Sequence, residues 1–103
     1  MGLKRKTAKG VTTLSISDAL TIYTVTQLYG LIFEEYEKPA DSIALDLSAV
    51  SDFDSAGVQL LLFLKKNFEA ANKKLFVVKS NEVVDRVFAM LDVAFIFHKE
   101  SKL

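Results

Sequence analysis

The stretch "ALDLSAVSDFDSAGVQLLL", Ala44 to Leu62, holds the passage from one kind of element into another. With Ser42 and Ile43 before it, its first part makes "SIALDLS", a nearly continuous apolar run of strand length, as in a central strand covered on its faces. From Ser55 the period changes. At about 100° per residue, Gly57, Leu60, Leu61, Leu64, Phe68 and Ala71 fall on one broad face, the pattern of a helix lying on a sheet. Between the two, "SDFDSAG" reads as the loop at the carboxyl end of the strand and the first turn of the helix, where function collects in open α/β sheets.

The alternation continues outward in both directions. "GVTTLSISDALTI" alternates apolar and small polar residues as a half-buried strand does, with a turn expected at Ser17 and Asp18. The "LKRKTAK" before it reads as a short edge strand or arm, its lysines opposing pairing with other chains. From Tyr23 to Lys38, Val25, Leu28, Tyr29, Ile32, Phe33 and Tyr36 keep helical spacing, and Pro39 is a stop. Glu34, Glu35 and Glu37 crowd the last turn of that helix, where the dipole disfavours them, as a solvated rim or a partner-facing acidic patch. "KLFVVK", Lys74 to Lys79, is a second buried strand. It is followed by "NEVVDRVFAMLD", in which Asn81 is an N-cap and Val83, Val84, Val87, Phe88 and Leu91 form the apolar face. The tail "VAFIFHK" suits a last strand or a packed extension. Strand, helix, strand, helix, strand in this order implies parallel crossovers and an α/β domain of two or three layers.

At 103 residues, half of them apolar and a quarter charged, the chain has the size of one domain, residues 1–103, with 1–9 as a basic arm or edge strand. Disordered and low-complexity classes are excluded by that composition. No cysteine is present, which removes disulfides, thiolate zinc sites and cysteine nucleophiles, and fits a reducing compartment. The basic start "MGLKRKTAKG" is not followed by an apolar signal region, and no apolar run approaches the roughly 20 residues needed to span a bilayer. A cytoplasmic protein without membrane insertion is expected. Formal net charge is zero, with no continuous basic face, so nucleic-acid binding is not expected.

Ser55 is the chemical centre of the opening stretch. In one reading Asp54 or Ser55 caps the helix, Asp52 and Asp54 complement its dipole, and Gly57 permits close approach to the sheet. In the other, Ser55 is a modification site, since a helix N-terminus also tolerates a phosphate. The wheel leaves Val58, Leu62 and Phe63 on the Ser55 side together with Gln59, Lys65, Lys66 and Glu69. Those apolar residues are expected to be partly exposed, either as a protein interface or as a patch covered by the first or last helix. Val58, Gln59, Leu62, Phe63 and Lys66 are therefore the candidate partner-binding residues.

"ALDLSAVSDFDSAGVQLLL", together with "DALTIYTVTQL", resembles the STAS family, the domain shared by sulfate transporters and anti-sigma factor antagonists. The resemblance runs from about Val11 to Leu91. It implies a mixed sheet of four or five strands with helices packed mainly on one side. Ser55 matches the family's phosphorylatable serine, Asp54 the acidic residue before it, and Asp46 the aspartate of the preceding strand. In antagonists of this family a serine kinase that is also the anti-sigma factor modifies that serine, the unmodified domain binds the kinase, and a phosphatase resets the switch. The resemblance thus implies a phospho-switched binding protein, not an enzyme. The alternative is a scaffold subunit that is never phosphorylated, in a chemotaxis or two-component assembly or a lipid-transport ABC complex.

Other classes fit less well. A receiver domain needs carboxylates at two strand ends converging on Mg²⁺, and no acidic pair follows the first strand here; Asp52 and Asp54 read as loop residues, not metal ligands. The one histidine, His98, has neither a placed acidic partner nor a nucleophile, so no catalytic residues are assigned. No glycine-rich phosphate loop is present, and no cofactor is expected. The edge strand and the patch could each support a weak homodimer.

Overall fold

The computed structural model describes residues 2–34 and 40–97. Strand β1 (Gly2–Ala8) pairs antiparallel with β2 (Val11–Leu20). The two-residue turn between them, Lys9 and Gly10 at φ 54 and 79, has the positive φ values that match hairpin twist. Helix α1 (Val25–Phe33) leads to β3 (Ser42–Phe53), α2 (Ser55–Ala70) to β4 (Lys74–Lys79), and α3 (Glu82–Leu91) and the short α4 (Ala94–Phe97) follow. The sheet order is β1-β2-β3-β4, with β2, β3 and β4 parallel. Successive crossovers of one hand that advance in one direction put their helices on the same face, and the burial pattern agrees. Leu14, Ile16, Ile43, Leu45, Leu47 and Leu75 on that face are fully buried. On the reverse face Lys4, Lys6 and Lys74 are exposed, and Ser15 and Asp46 half-buried.

The strands run further than the sequence suggests. The expected turn at Ser17 and Asp18 is a bulge inside β2, with register shifts on either side and Asp18 at φ 70. In a straight strand Asp18 would share the inner face with Leu14, Ile16 and Leu20; the bulge turns it out to solvent while Ile16 and Leu20 stay buried. The expected loop after Ser48 is likewise strand, because Ala49, Val50, Asp52 and Phe53 pair in turn with Ser17, Asp18, Ala19 and Leu20. Non-local pairing overrides the polar local sequence.

Helix α1 starts at Val25, not Tyr23, because Thr21 to Thr24 form a turn in which the Thr24 hydroxyl accepts from the Thr21 amide and donates to the Ala19 carbonyl. The expected continuation of α1 through Glu35, Tyr36, Glu37 and Lys38 to Pro39 lies outside the described residues. The tail forms the turn of helix α4, whose Phe97 is fully buried and stacks on Phe88 at 5.1 Å. His98 also lies outside the described residues.

Candidate functional site

The carboxyl ends of β2 and β3 meet the start of α2, and Asp54 joins all three. Its backbone is extended, and its Oδ1 accepts from the Gly57 amide at 3.1 Å as the helix N-cap. Its Oδ2 accepts from the Ile22 amide, also at 3.1 Å, and its own amide donates to the Leu20 carbonyl at 3.4 Å. One carboxylate therefore fixes the helix start to the segment that follows β2. Because Asp54 is the cap, Ser55 is not: it occupies the first helical position, is exposed, and makes no side-chain hydrogen bond among the described residues. The Ser55 and Ala56 amides precede the first residue that can bond within the helix, so they face outward beside the hydroxyl.

Gly57 is where helix and sheet touch. A Cβ there would lie 2.3 Å from the Leu20 carbonyl oxygen and 2.9 Å from the Phe53 ring. Only a residue without a side chain permits this approach, and the approach sets how far Ser55 stands above the strand ends.

Between α1 and α2, adjoining Ser55, runs an open apolar groove of about 510 Å³ lined by Ile22, Val25, Tyr29, Ala56, Leu60 and Phe63, with Thr26 and Gln59 as its polar members. Ile22 is 62% exposed, Phe63 50%, and the neighbouring Tyr23 94%. Tyr29 bridges the helices, its ring 5.6 Å from Phe63 and 5.3 Å from Phe33. Large apolar side chains this exposed beside one another mark an interaction surface. Asp18, Asp52 and Asp54 stand at neighbouring strand ends, Asp18 paired with Val50 and Ala19 with Asp52, so the rim near Ser55 is acidic.

The residues expected at this surface divide. Gln59 and Lys66 are exposed on the Ser55 side of α2, and Phe63 faces the groove. Val58, expected to be partly exposed, is buried at 2%, and Leu62 is half-buried against the core. The physical reason is that α2 has two flanks. Ala56, Leu60 and Phe63 turn toward α1, whereas Val58, Leu62 and Lys65 turn the other way, over β4, where the Lys65 ammonium donates to the Leu75 carbonyl at 2.9 Å. Val58 is a core residue and not part of the open surface.

Asp52 is exposed near the end of β3, three residues before Ser55. Asp46 is not brought there. Phe53 stands seven positions further along the strand, roughly 23 Å at the usual rise. Its Oδ1 accepts from the Ser48 hydroxyl at 2.6 Å and the Ser48 amide at 3.0 Å. Partial burial alone would raise this carboxyl, but the two hydrogen bonds from Ser48, helped by the Lys79 charge, outweigh it and hold Asp46 below its ordinary value.

Sequence reasoning missed the α1 side of the surface. It counted Ile22 as strand and Val25 and Tyr29 as the core face of a helix; the signal available was the adjacent pair Ile22 and Tyr23, which no single periodicity buries together. No helix among the described residues is long and apolar enough to cross a membrane.

Fold and site together define a small mixed-sheet α/β domain whose distinctive chemistry is an unencumbered serine at a helix start beside an apolar groove. The family model for the STAS domain matches residues 3–103, and the chain belongs to that family. No curated protein matches the chain. Among solved structures, it is similar to the anti-sigma factor antagonist SpoIIAA in its unphosphorylated form, at 16% identity over 98% of this chain and 89% of that one, TM-score 0.78. The Bacillus cell fate determinant SpoIIAA in its phosphorylated form matches at 16% identity over 98% and 92%, TM-score 0.71. An anti-sigma factor antagonist from Mycobacterium paratuberculosis matches at 20% identity over 99% and 86%, TM-score 0.80. These likenesses are of fold.

Proposed function

We propose that this chain is a phosphorylation-switched protein-binding domain of the anti-sigma factor antagonist kind, a cytoplasmic binding protein and not an enzyme. The observation that carries the reading is the division between Asp54 and Ser55: the aspartate caps α2, which leaves an exposed serine hydroxyl with no structural task at the edge of an apolar groove. In the unmodified form the groove and Tyr23 dock a partner that is itself a serine kinase. Ser55 Oγ then takes the γ-phosphoryl group of ATP held by that kinase; the bond to ADP breaks, and the hydroxyl proton passes to a base on the kinase. The phosphate, carrying about −1.5 to −2 charges, is accommodated by the helix N-terminus and its outward amides. It also places a hydrated dianion beside Asp52 and Asp54 and the groove, where a docked partner would have to desolvate it. Docking is lost until a phosphatase removes the group.

The test is intact-mass analysis after incubation with ATP and a lysate of the source cells, with partner binding measured for Ser55→Ala and Ser55→Asp. The expected results are one phosphate on the wild type and none on Ser55→Ala, with Ser55→Ala binding constitutively and Ser55→Asp at least tenfold more weakly. Equal binding by the two variants would overturn the switch and leave a scaffold subunit, as in chemotaxis or lipid-transport assemblies.

A further inference from the structure

The distal half of β3 delivers Asp54 and Ser55, yet it has a sheet partner on one edge only. β4 pairs with β3 from Ser42 to Asp46 and then leaves the sheet for α3, while β2 stays paired as far as Phe53. On the abandoned edge, carbonyls of residues two apart point the same way and need donors. The Asn81 carboxamide supplies them. Its Nδ2 donates to the Ser48 carbonyl at 3.0 Å and to the Val50 carbonyl at 2.8 Å, while its Oδ1 accepts from the Val84 amide at 2.9 Å. The orientation is fixed by chemistry, because the flipped amide would set its oxygen against two carbonyls and its NH₂ against an N–H.

Asn81 is thus more than the N-cap of α3. It substitutes for the missing rungs of β4 and ties the first turn of α3 to the strand, four residues before Asp54. A second contact follows the same route. Phe88 of α3 meets Phe53 edge-on at 5.5 Å, and the Phe53 ring lies under Gly57 in the first turn of α2. We infer that Asn81 is a positioning residue for the Ser55 surface, holding the end of β3 in register so that Asp54 can cap α2 and clamp Ile22. This rests on the reading of that surface as the docking switch.

The cap and the tie can be separated experimentally. Asn81→Ser and Asn81→Asp both retain an oxygen that caps α3, but serine cannot reach the strand and aspartate has no proton to donate to it. Amide hydrogen exchange of the full chain, followed by NMR, reads both roles at once. With two hydrogen bonds removed, one exposed and one partly buried, protection of residues 49–53 is expected to fall on the order of tenfold. The Asp54, Ser55 and Gly57 amide signals are expected to shift, while the Val84 and Asp85 amides keep their protection. Unchanged exchange and unchanged signals in both variants would overturn the inference. A fall confined to α3 would also overturn it, by reducing Asn81 to a cap. The readout needs no phosphate, so failure of Ser55 to accept one sinks the switch and leaves the tie, whereas unchanged exchange does the reverse.

Discussion

Adding one methyl group at Gly57 should unseat α2, and adding the same group at Gly30 should not. At Gly57 the new Cβ would sit 2.3 Å from the Leu20 carbonyl oxygen, where real Cβ contacts essentially never fall below 3.0 Å, so helix and strand must part by roughly 0.7 Å. The obstructing atom belongs to the backbone of β2, where Leu20 pairs with Phe53 of β3 and its carbonyl accepts from the Asp54 amide, and cannot swing away as a side-chain tip could. Overpacking of this kind costs about 1–3 kcal/mol, and the rigid geometry favours the upper end. Against it stands a gain of about 1 kcal/mol in helix propensity for glycine to alanine. The net is about 2 kcal/mol of lost stability, which at an m-value near 1 kcal/mol/M moves the urea midpoint down by about 2 M. Gly30, in α1, has nothing within 4 Å of the place a methyl group would occupy, so Gly30→Ala keeps only the propensity gain and should be stabilised by about 0.5–1 kcal/mol. Equilibrium urea denaturation of both variants tests the pair. A Gly57→Ala protein as stable as wild type would refute the close seating of α2, and with it the account of how Ser55 is placed.

Three further outcomes follow from the geometry. Asp54→Ala removes the N-cap of α2 and the acceptor for Ile22, and should cost about 1–2 kcal/mol, whereas Asp54→Asn keeps one acceptor oxygen for the Gly57 amide but turns its NH₂ toward the Ile22 amide, and should recover only part of it; thermal melts of the two separate the cap from the tie to Ile22. Ser55→Ala touches no hydrogen bond and should leave stability within about 0.5 kcal/mol of wild type in the same melts, so a larger loss would give Ser55 a structural role. The Asp46 carboxyl is held below its ordinary 3.8, so it adds stability above that pH and loses it as pH falls through the lower folded-state value. Asp46→Asn should therefore be less stable than wild type near neutrality, with the gap closing below about pH 4 in urea midpoints taken across the acid range.

Much of the fold is legible in the sequence because its signals are local and mutually consistent. "SIALDLS" is too apolar and too short to be anything but a buried strand, Asn81 stands where a cap must stand, and Gly57 opens a helix at the residue facing the sheet; "KLFVVK" is legible as a strand, but not as the edge it forms beside β3 alone, where only Leu75 is buried and Val78 is 43% exposed. What escaped is non-local. The polar residues 51–52 look like a loop, and only the partner strand β2, bulged at Asp18, makes them strand. The helical wheel turns Leu60, Leu61, Leu64 and Phe68 inward, as the structure does, but cannot say what flanks α2. Hence Val58 and Leu62 look exposed until β4 is placed beside them, and the groove on the α1 side goes unseen. Resemblance groups Asp46 with Ser55, and a strand longer than expected separates the two. Asn81 is legible as a cap but not as a tie, because its second role depends on β4 leaving the sheet before β3 does.

Under the proposed switch, the separation of labour at the start of α2 would let a single hydroxyl suffice for regulation. A serine that capped its own helix would be a poor switch, since phosphorylation would remove the cap and add charge in one event, mixing folding with docking. Here Asp54 holds both the helix start and Ile22, Gly57 sets the height of the helix, and Asn81 anchors the strand behind them. Every element that locates Ser55 is fixed by another residue. Modification can therefore change the charge and hydration of the surface without removing a contact on which the fold depends. In the proposed switch the cost would fall on the partner, which would have to meet a dianion at the rim of an apolar groove, and the free energy of switching would be set by desolvation at the interface and not by any strain within the domain.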